Sequence, residues 1–358
     1  LPTSVDTITI NLQDATGAMP VATYGEVLVI GPFTTNKNYN VATQYSSQAA
    51  VEADFTAGSA IAKATALVLA QGVPHVKVLN IYDGAANQYA ICLTGLVSQG
   101  IDYDIMCPTA QVDDTDFGLI VTHATTYKKV LICPAIDVTA AEAKTLMLPL
   151  VKDETQYAIA SDLSGNSVGE LAGAAGGVIS TKKPWIPPEW ASVSGISVSG
   201  YTPDEIAAFE SDVSNNLNAV IQVGTATVLS SGKSLQAGHW IDIMRTKQYL
   251  ADSVRNDLIN LKLRLANSNQ KIPYTPLGLK LIQGTMERTC RLAQKAGALR
   301  EDYVDADGVL IKGYLVTVPD YDDISASDKT ARLLQNVVIT AYLSGAVSRI
   351  TLDLVVTL

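Results

Sequence analysis

Tyr103-Asp104-Ile105-Met106-Cys107-Pro108 and Val130-Leu131-Ile132-Cys133-Pro134 are two short apolar runs with the same ending, Ile-Met-Cys-Pro in one and Leu-Ile-Cys-Pro in the other. Runs this short, each stopped by a proline, read as buried strands. With a third run they predict strands near 103–107, 129–133 and 156–160, alternating with helical patterns over about 114–127 and 139–152. Strands that alternate with helices build a parallel sheet, because each helix carries the chain back across the sheet to start the next strand in the same direction. The expectation is a small α/β layer at about 96–200.

Before this layer, the run Val27–Ile30 ends at Gly31-Pro32, an alanine-rich helix from about Ser59 stops at Gly72 with Pro74 beyond, and a strand follows over Val76–Tyr82. Glycine and proline supply the stop signals. After it, Lys182-Lys183-Pro184-Trp185-Ile186-Pro187-Pro188-Glu189-Trp190 and the Gly- and Ser-rich residues to Gly200 form a boundary or a structured crossing. Thr202-Pro203-Asp204-Glu205 then starts a helix, with Thr202 as cap, proline at the first position and Glu205 closing a capping box. Two β segments (217–223 and 225–230), a long helix over about 241–267, a second helix at about 277–297 and a β-rich tail at 309–318, 333–343 and 347–357 complete the pattern.

Both ends of the chain alternate in polarity. Ile8, Ile10 and Leu12 interleave with Thr7, Thr9 and Asn11; Ile350, Leu352, Leu354, Val356 and Leu358 interleave with Thr351, Asp353 and Thr357. Period two is the mark of a strand with one buried face, and a terminal strand requires a pairing partner in the same molecule or in the next.

The 358 residues hold 25 Lys and Arg against 35 Asp and Glu, a formal net charge of −10, and only 17% are charged where about 25% is usual. Hydrophobic residues stand at an ordinary 47%, so Ser, Thr, Asn and Gln replace the missing charge. Part of such a surface is not meant to face water. The acidic balance argues against nucleic acid as a partner, and no apolar run approaches the roughly 20 residues of a membrane span. No signal peptide is predicted. Cys92, Cys107, Cys133 and Cys290 show no CxxC pair and read as buried thiols from a reducing compartment.

Motifs for chemistry are weak. Gly165-Asn166-Ser167-Val168-Gly169 matches the G-x-S-x-G of a serine-hydrolase nucleophile elbow, but Ser167 and Glu170 already make a capping box and the sole downstream histidine is His239. Gly232-Lys233-Ser234 lacks the first glycine of a phosphate loop, where Thr227 stands, and is read as a hairpin turn. Gly173-Ala174-Ala175-Gly176-Gly177 lacks dinucleotide-fingerprint spacing and fits close helix packing. Asp302, Asp305 and Asp307-Gly308 lack the glutamate of a calcium loop, Gly313 occupying its place, so an Asp-Gly turn is expected. His75, His123 and His239 show no metal-ligand spacing. Cys107 and Cys133 are read as neighbours at strand ends, with structural burial favoured over a reactive thiol. The sequence thus predicts no catalytic residues, no metal and no cofactor. Arg288, Arg291 and Lys295 do fall on one face of the helix near 277–297, either a solvated face or a docking stripe for an acidic partner.

Taken in order, the segments resemble the contractile tail sheath proteins of tailed phages and of related particles such as R-type pyocins. The residues that carry the likeness are Val213-Ser214-Asn215-Asn216-Leu217-Asn218-Ala219-Val220, the hairpin from Gly224 to Gly238, Trp240-Ile241-Asp242-Ile243-Met244-Arg245, Gly297-Ala298-Leu299 and Gly313-Tyr314-Leu315-Val316-Thr317-Val318. Val130 to Pro134 with Pro184 to Pro188 is similar to the family's middle domain, and Phe55 through Gly72 to Tyr82 to its N-terminal region. The Pro-rich segment fits only loosely, and the chain is short for a phage sheath, which implies that large outward decorating domains are absent.

The resemblance implies a central α/β layer plus a C-terminal α+β assembly domain with extended N- and C-terminal strand arms. The boundaries expected are 1–20 for the first arm, 21–95 for an N-terminal region, 96–200 for the middle domain, 201–345 for the assembly domain and 346–358 for the second arm. It also implies hexameric rings stacked around a tail tube, strand exchange between neighbours through Ile8, Ile10, Leu12, Ile350, Leu352, Leu354 and Val356, and a tube-facing Arg288, Arg291 and Lys295. The implied partners are further copies of the chain, the tube protein, the baseplate and the tail terminator, in a virion tail built in the host cytoplasm. A cellular contractile injection system is the near alternative and a hydrolase using Ser167 the distant one.

Overall fold

Val27 and Val29 are packed on one side of a sheet and Leu28 and Ile30 on the other, and none of the four is accessible to solvent. A strand apolar at every position needs cover on both faces, and helices supply it here. The computed structural model describes residues 25–35, 37–150, 152–162, 167–211 and 216–346. In chain order its first part runs β1 (Val27–Gly31), β2 (Thr43–Tyr45), α1 (Gln48–Phe55), α2 (Ala60–Ala70), β3 (Val76–Asn80), α3 (Tyr89–Ser98), β4 (Ile105–Pro108), α4 (Phe117–Tyr127), β5 (Val130–Ala135) and α5 (Ala140–Met147). It continues with β6 (Gln156–Ala160), α6 (Val168–Thr181), α7 (Pro203–Ser211), β7 (Asn218–Val223) and β8 (Ala226–Leu229).

Among the described residues these strands form one eight-stranded sheet in the order β2-β3-β1-β4-β5-β6-β7-β8. The pairings from β3 to β7 are parallel and the two edge strands, β2 and β8, are antiparallel. The expected parallel sheet is therefore present but wider than 96–200. The β1 and β3 strands lie inside it, the 95/96 division falls within α3, and the sheet continues past position 200 through β7 and its hairpin to β8. Parallel β1–β4 pairing joins what the punctuation by Gly and Pro separates, because hydrogen bonds between distant strands leave no local signal.

On one face α2 packs against α6, and this contact explains the glycines of α6. A Cβ on Gly173 would penetrate the Ala64 carbonyl and lie 3.0 Å from its carbon, and one on Gly177 would lie 2.7 Å from Gln71 Cγ. One on Gly176 would overlap the sulfur of Cys107 on β4. The Gly173–Gly177 cluster is thus a seat for helix α2 and the sheet. On the other face α3, α4 and α5 bury Cys92, Leu93, Ile120, Val121 and Met147 against Leu28, Ile30, Met106 and Leu131. Cys107 belongs to the first face and Cys133 to the second. The side-by-side placement expected for them is corrected: in the register of β4 and β5, Ile105 faces Val130 and Met106 faces Leu131, so the two thiols project to opposite sides.

The second part begins with α8 (Ile241–Asn267) and α9 (Pro276–Lys295), followed by β9 (Tyr303–Val304), β10 (Leu310–Ile311), β11 (Tyr314–Thr317), α10 (Ala326–Ala331) and β12 (Val338–Ala341). It has its own core of Val254, Met286, Cys290, Ala293, Ala298, Leu299 and Val316. Helix α8 serves both cores, since Ile241 and Met244 lie in the sheet's core and Val254 in this one. Capping explains several helix starts: Thr202 and Glu205 close their box with bonds of 2.8 and 3.3 Å, and Thr275 caps α9 with Pro276 at its first position. The strand-arm residues Ile8, Ile10, Leu12, Ile350, Leu352, Leu354 and Val356 lie outside the described residues.

Candidate interaction surfaces

The residues read for chemistry are all engaged in structural work. Ser167 adopts ordinary extended backbone (φ −87°, ψ 158°), its hydroxyl accepts from the Glu170 amide at 3.3 Å, and its own amide donates to Glu170 at 2.6 Å. A nucleophile elbow needs a strained turn and a free hydroxyl, and Ser167 has neither; Gly165 and Asn166 lie outside the described residues. Gly232 sits against Pro187 and Pro188 instead of turning a hairpin, which is made at Gly224 between β7 and β8. Asp305 accepts from the amides of Asp307 and Val309 in the expected Asp-Gly turn, and Asp302 from Gly313 and Gln294. Each histidine has a structural partner: His75 with Glu26 at 2.6 Å, His123 with Tyr103 at 2.6 Å and His239 with the Ala237 carbonyl at 3.0 Å. Among the described residues no three of His, Cys, Asp and Glu converge as a metal site requires.

Sheets of this kind hold ligands at the carboxyl ends of the strands, where the connections on either side of two neighbours diverge. Here that point lies between β1 and β4, and Thr109, just past β4, packs against the backbone there. A Cβ on Gly31 would overlap the hydroxyl of Thr109, and the Thr109 methyl would lie 3.1 Å from one on Gly169.

The opposite, amino-terminal edge of the sheet carries the charged groups. Glu26 precedes β1, Asp102 and Asp104 precede β4, Lys128 and Lys129 precede β5, and Asp153 and Glu154 precede β6. Helix α8 lies along this edge. Lys247 pairs with Glu154 at 2.9 Å, Gln248 donates to the Lys128 carbonyl, and Arg245 donates to the Lys182 carbonyl at 3.0 Å just past the end of α6. Burial lowers the Arg245 pKa to about 10, so it stays charged at neutral pH. Burial raises Asp242 and Asp252 to about 6; the nearby carboxylates of Asp104 and Asp102 add to the rise at Asp252 while Lys129 opposes it. The helix is thereby keyed to the sheet by buried polar groups, a joint with one defined geometry.

Beyond the joint, α9 lies on α8, with Thr289 donating to Asp257 at 2.6 Å. Arg288, Arg291 and Lys295 are exposed on its outer side, as the spacing predicts. The sequence reading missed the leucines among them: Leu277 (75% exposed), Leu281 and Leu292 (50% exposed) share that side with Lys280 and Gly284. Positions 277, 281, 288, 292 and 295 recur at helical spacing, a signal available in the sequence but obscured by attention to charge alone. Against the other side of α9 sits a two-stranded antiparallel sheet of β11 and β12, Tyr314 facing Ala341 and Thr317 facing Val338. Among the described residues each of these strands has an unpaired outer edge. Leu315 and Val338 on it are more than half exposed, so a further strand would gain both backbone bonds and apolar contact.

Residues 241–356 match the family model for the E217 tail sheath protein gp31-like C-terminal domain. The C-terminal part of the chain is thus similar to a tail sheath domain. Its match begins at the first residue of α8, the helix that locks onto the sheet. The fold of the whole chain is similar to that of the anti-feeding prophage helical sheath in the contracted state, with a TM-score of 0.68 at 14% identity over 99% of both chains. A sheath complex of an extracellular contractile injection system, PVC, in the contracted state gives 0.66 at 12% identity over 99% of this chain and 98% of that one. The sheath tail protein Lin1278 from Listeria innocua gives 0.59 at 10% identity over 84% and 90%. No curated protein sequence matches the chain. At these identities the likeness is one of fold, and it extends over both the α/β sheet and the C-terminal part.

Proposed function

We propose that the chain is a structural subunit of a contractile tail sheath, polymerising as stacked hexameric rings around a tail tube and contracting to drive the tube through the target envelope. The observation that carries this reading is the match of residues 241–356 to a tail sheath C-terminal domain, with a two-stranded sheet whose outer edges are unpaired among the described residues. The alternating segments at both ends of the sequence have the pattern to add strands to such edges on neighbouring copies, with backbone bonds making the joint and alternate side chains setting its register. Joints of this kind hold while subunits rotate. The extended polymer is assembled around the tube in a metastable state, and release at the baseplate lets it pass to a shorter, wider state with more buried contact, without a cofactor. Arg288, Arg291 and Lys295 face the tube and grip it weakly enough to slide. Baseplate and terminator proteins bound the polymer at its two ends, and assembly takes place in the host cytoplasm.

A second reading, the sheath of a contractile injection system instead of a phage tail, is favoured by the end-to-end match in length to the anti-feeding prophage and PVC chains. The subunit mechanism is the same in both. Electron microscopy of the purified full chain tests it: tubes are expected, and deletion of residues 1–13 or 346–358 is expected to leave a folded subunit that does not polymerise. A chain that remains monomeric alone and on tail tubes refutes the function; unimpaired polymers from both truncations refute the strand arms.

A further inference from the structure

We propose that Trp190 of one copy of this chain docks into the groove between α8 and α9 of the next, an inference that rests on the self-assembling reading above. Trp190 is 62% exposed and is held at φ +58°, in the left-handed region that suits glycine and that a bulky side chain enters only at a cost. The backbone on both sides fixes it there. Its amide donates to the Leu229 carbonyl at 2.9 Å, the Leu229 amide donates to the Ala191 carbonyl at 3.1 Å, and the Ala191 amide donates to the Pro188 carbonyl at 3.0 Å. Glycine would relieve the strain and keep all three bonds. The fold therefore gains nothing from a large ring at this position, and strain so held points to contact with a partner.

The groove lies where α8 ends and α9 begins. Leu265, Pro273, Leu277 and Leu281 wall an open space of about 920 Å³, and Lys271 and Lys280 are its only charges among the described residues. Lysines beside an apolar groove favour an aromatic occupant over an aliphatic one, because an ammonium is attracted to the π face of a ring and most strongly to that of indole. Among the described residues the exposed aromatic side chains are Trp190, Tyr303 and Tyr342. Tyr303 and Tyr342 already hold the Arg300 guanidinium, 4.8 and 4.7 Å from their ring centres. Trp190 is the ring with both faces still open among the described residues.

Ring and groove cannot meet within one chain. Pro188 lies against Gly232, whose carbonyl accepts from the Ile241 amide at the first residue of α8, while Leu265 lies in the last turn of the same helix, about 36 Å along its axis. The contact is therefore made between copies. A knob at one end of α8 and its socket at the other join copies head to tail, and a joint of that kind grows an open polymer instead of closing after two subunits.

The test uses the full chain and reads the critical concentration for polymer by sedimentation and the stability of the monomer by its urea midpoint. Trp190→Gly is expected to leave the midpoint at or above that of wild type, because the strain is gone, and yet to raise the critical concentration about tenfold or more, as loss of a buried aromatic anchor does. Leu277→Glu, at a side chain 75% exposed in the monomer, is expected to give a similar loss with an unchanged midpoint. Combined, the two are expected to cost no more than the larger of them alone, since both remove one contact; independent contacts would multiply to about a hundredfold. Wild-type polymer from either variant, multiplied losses, a midpoint of Trp190→Gly below wild type, or a defect seen only on tail tubes overturns this inference and leaves the sheath reading standing. A wild-type chain that never polymerises overturns both.

Discussion

The same substitution, glycine to alanine in the middle of a helix, is predicted to have opposite signs in α9 and α6. In an open helix the added methyl stabilises by about 0.5–1 kcal/mol, because glycine has more freedom to lose on folding. Gly284 in α9 meets this condition, since a Cβ there has nothing within 4 Å. At Gly173 the same propensity gain is outweighed. The methyl would penetrate the Ala64 carbonyl and lie 3.0 Å from its carbon and 3.2 Å from its Cα, all backbone of α2, so no side-chain rotation relieves the contact and the two helices must separate. Overpacking of this kind costs about 1–3 kcal/mol. Gly173→Ala is therefore expected to lose about 1–2 kcal/mol net and Gly284→Ala to gain up to about 1, a separation of about 1–3 kcal/mol. Urea unfolding followed by circular dichroism, below the concentration at which the chain assembles, reads both as shifts of the midpoint. A Gly173→Ala variant as stable as wild type, or a common shift of both variants, refutes the claim that α6 is seated by its glycines on α2.

Charge reversal of Arg288 and Arg291 to Glu is expected to weaken assembly on tail tubes while free polymer still forms; equal assembly on tubes refutes the tube-facing role. Asp242 and Asp252 have folded pKa values of about 6, above the roughly 3.9 of an unfolded aspartate, so the folded state binds their protons more tightly. Their contribution to stability therefore rises as pH falls through 6 and is lost as pH rises through it, and Asp252→Asn is expected to flatten the change in urea midpoint between pH 7 and pH 5; an undiminished slope refutes the buried joint. Ser167→Ala is expected to lower stability by about 1 kcal/mol through its lost cap and to leave any ester hydrolysis unchanged; a hydrolytic activity abolished by it would restore the enzyme reading.

The sequence by itself determined the elements whose signals are local. The long helix over 241–267 and the caps at Thr202 and Ser167 are written in periodicity and in side chains that bond amides three residues on, and they stand where those signals put them. The basic side of α9 was legible for the same reason, since residues three and four apart share a helix face. Helices α1 and α3 were not anticipated; α3 has no side-chain cap at Gln88 and is apolar enough to read as anything buried. The tertiary structure alone decided what depends on distant pairs. Parallel pairing of β1 with β4 merges the N-terminal region into the sheet, the register of β4 and β5 sends Cys107 and Cys133 to opposite faces, and Thr109 packs against Gly31 at the carboxyl ends of β1 and β4. The joint between the sheet and the C-terminal part of the chain is the clearest case. The pair Asp102 and Asp104, then Lys129, then Asp252 come from three separate stretches of the chain, and they share one electrostatic environment only because parallel strands align their starts along one edge and α8 is long enough to run along it.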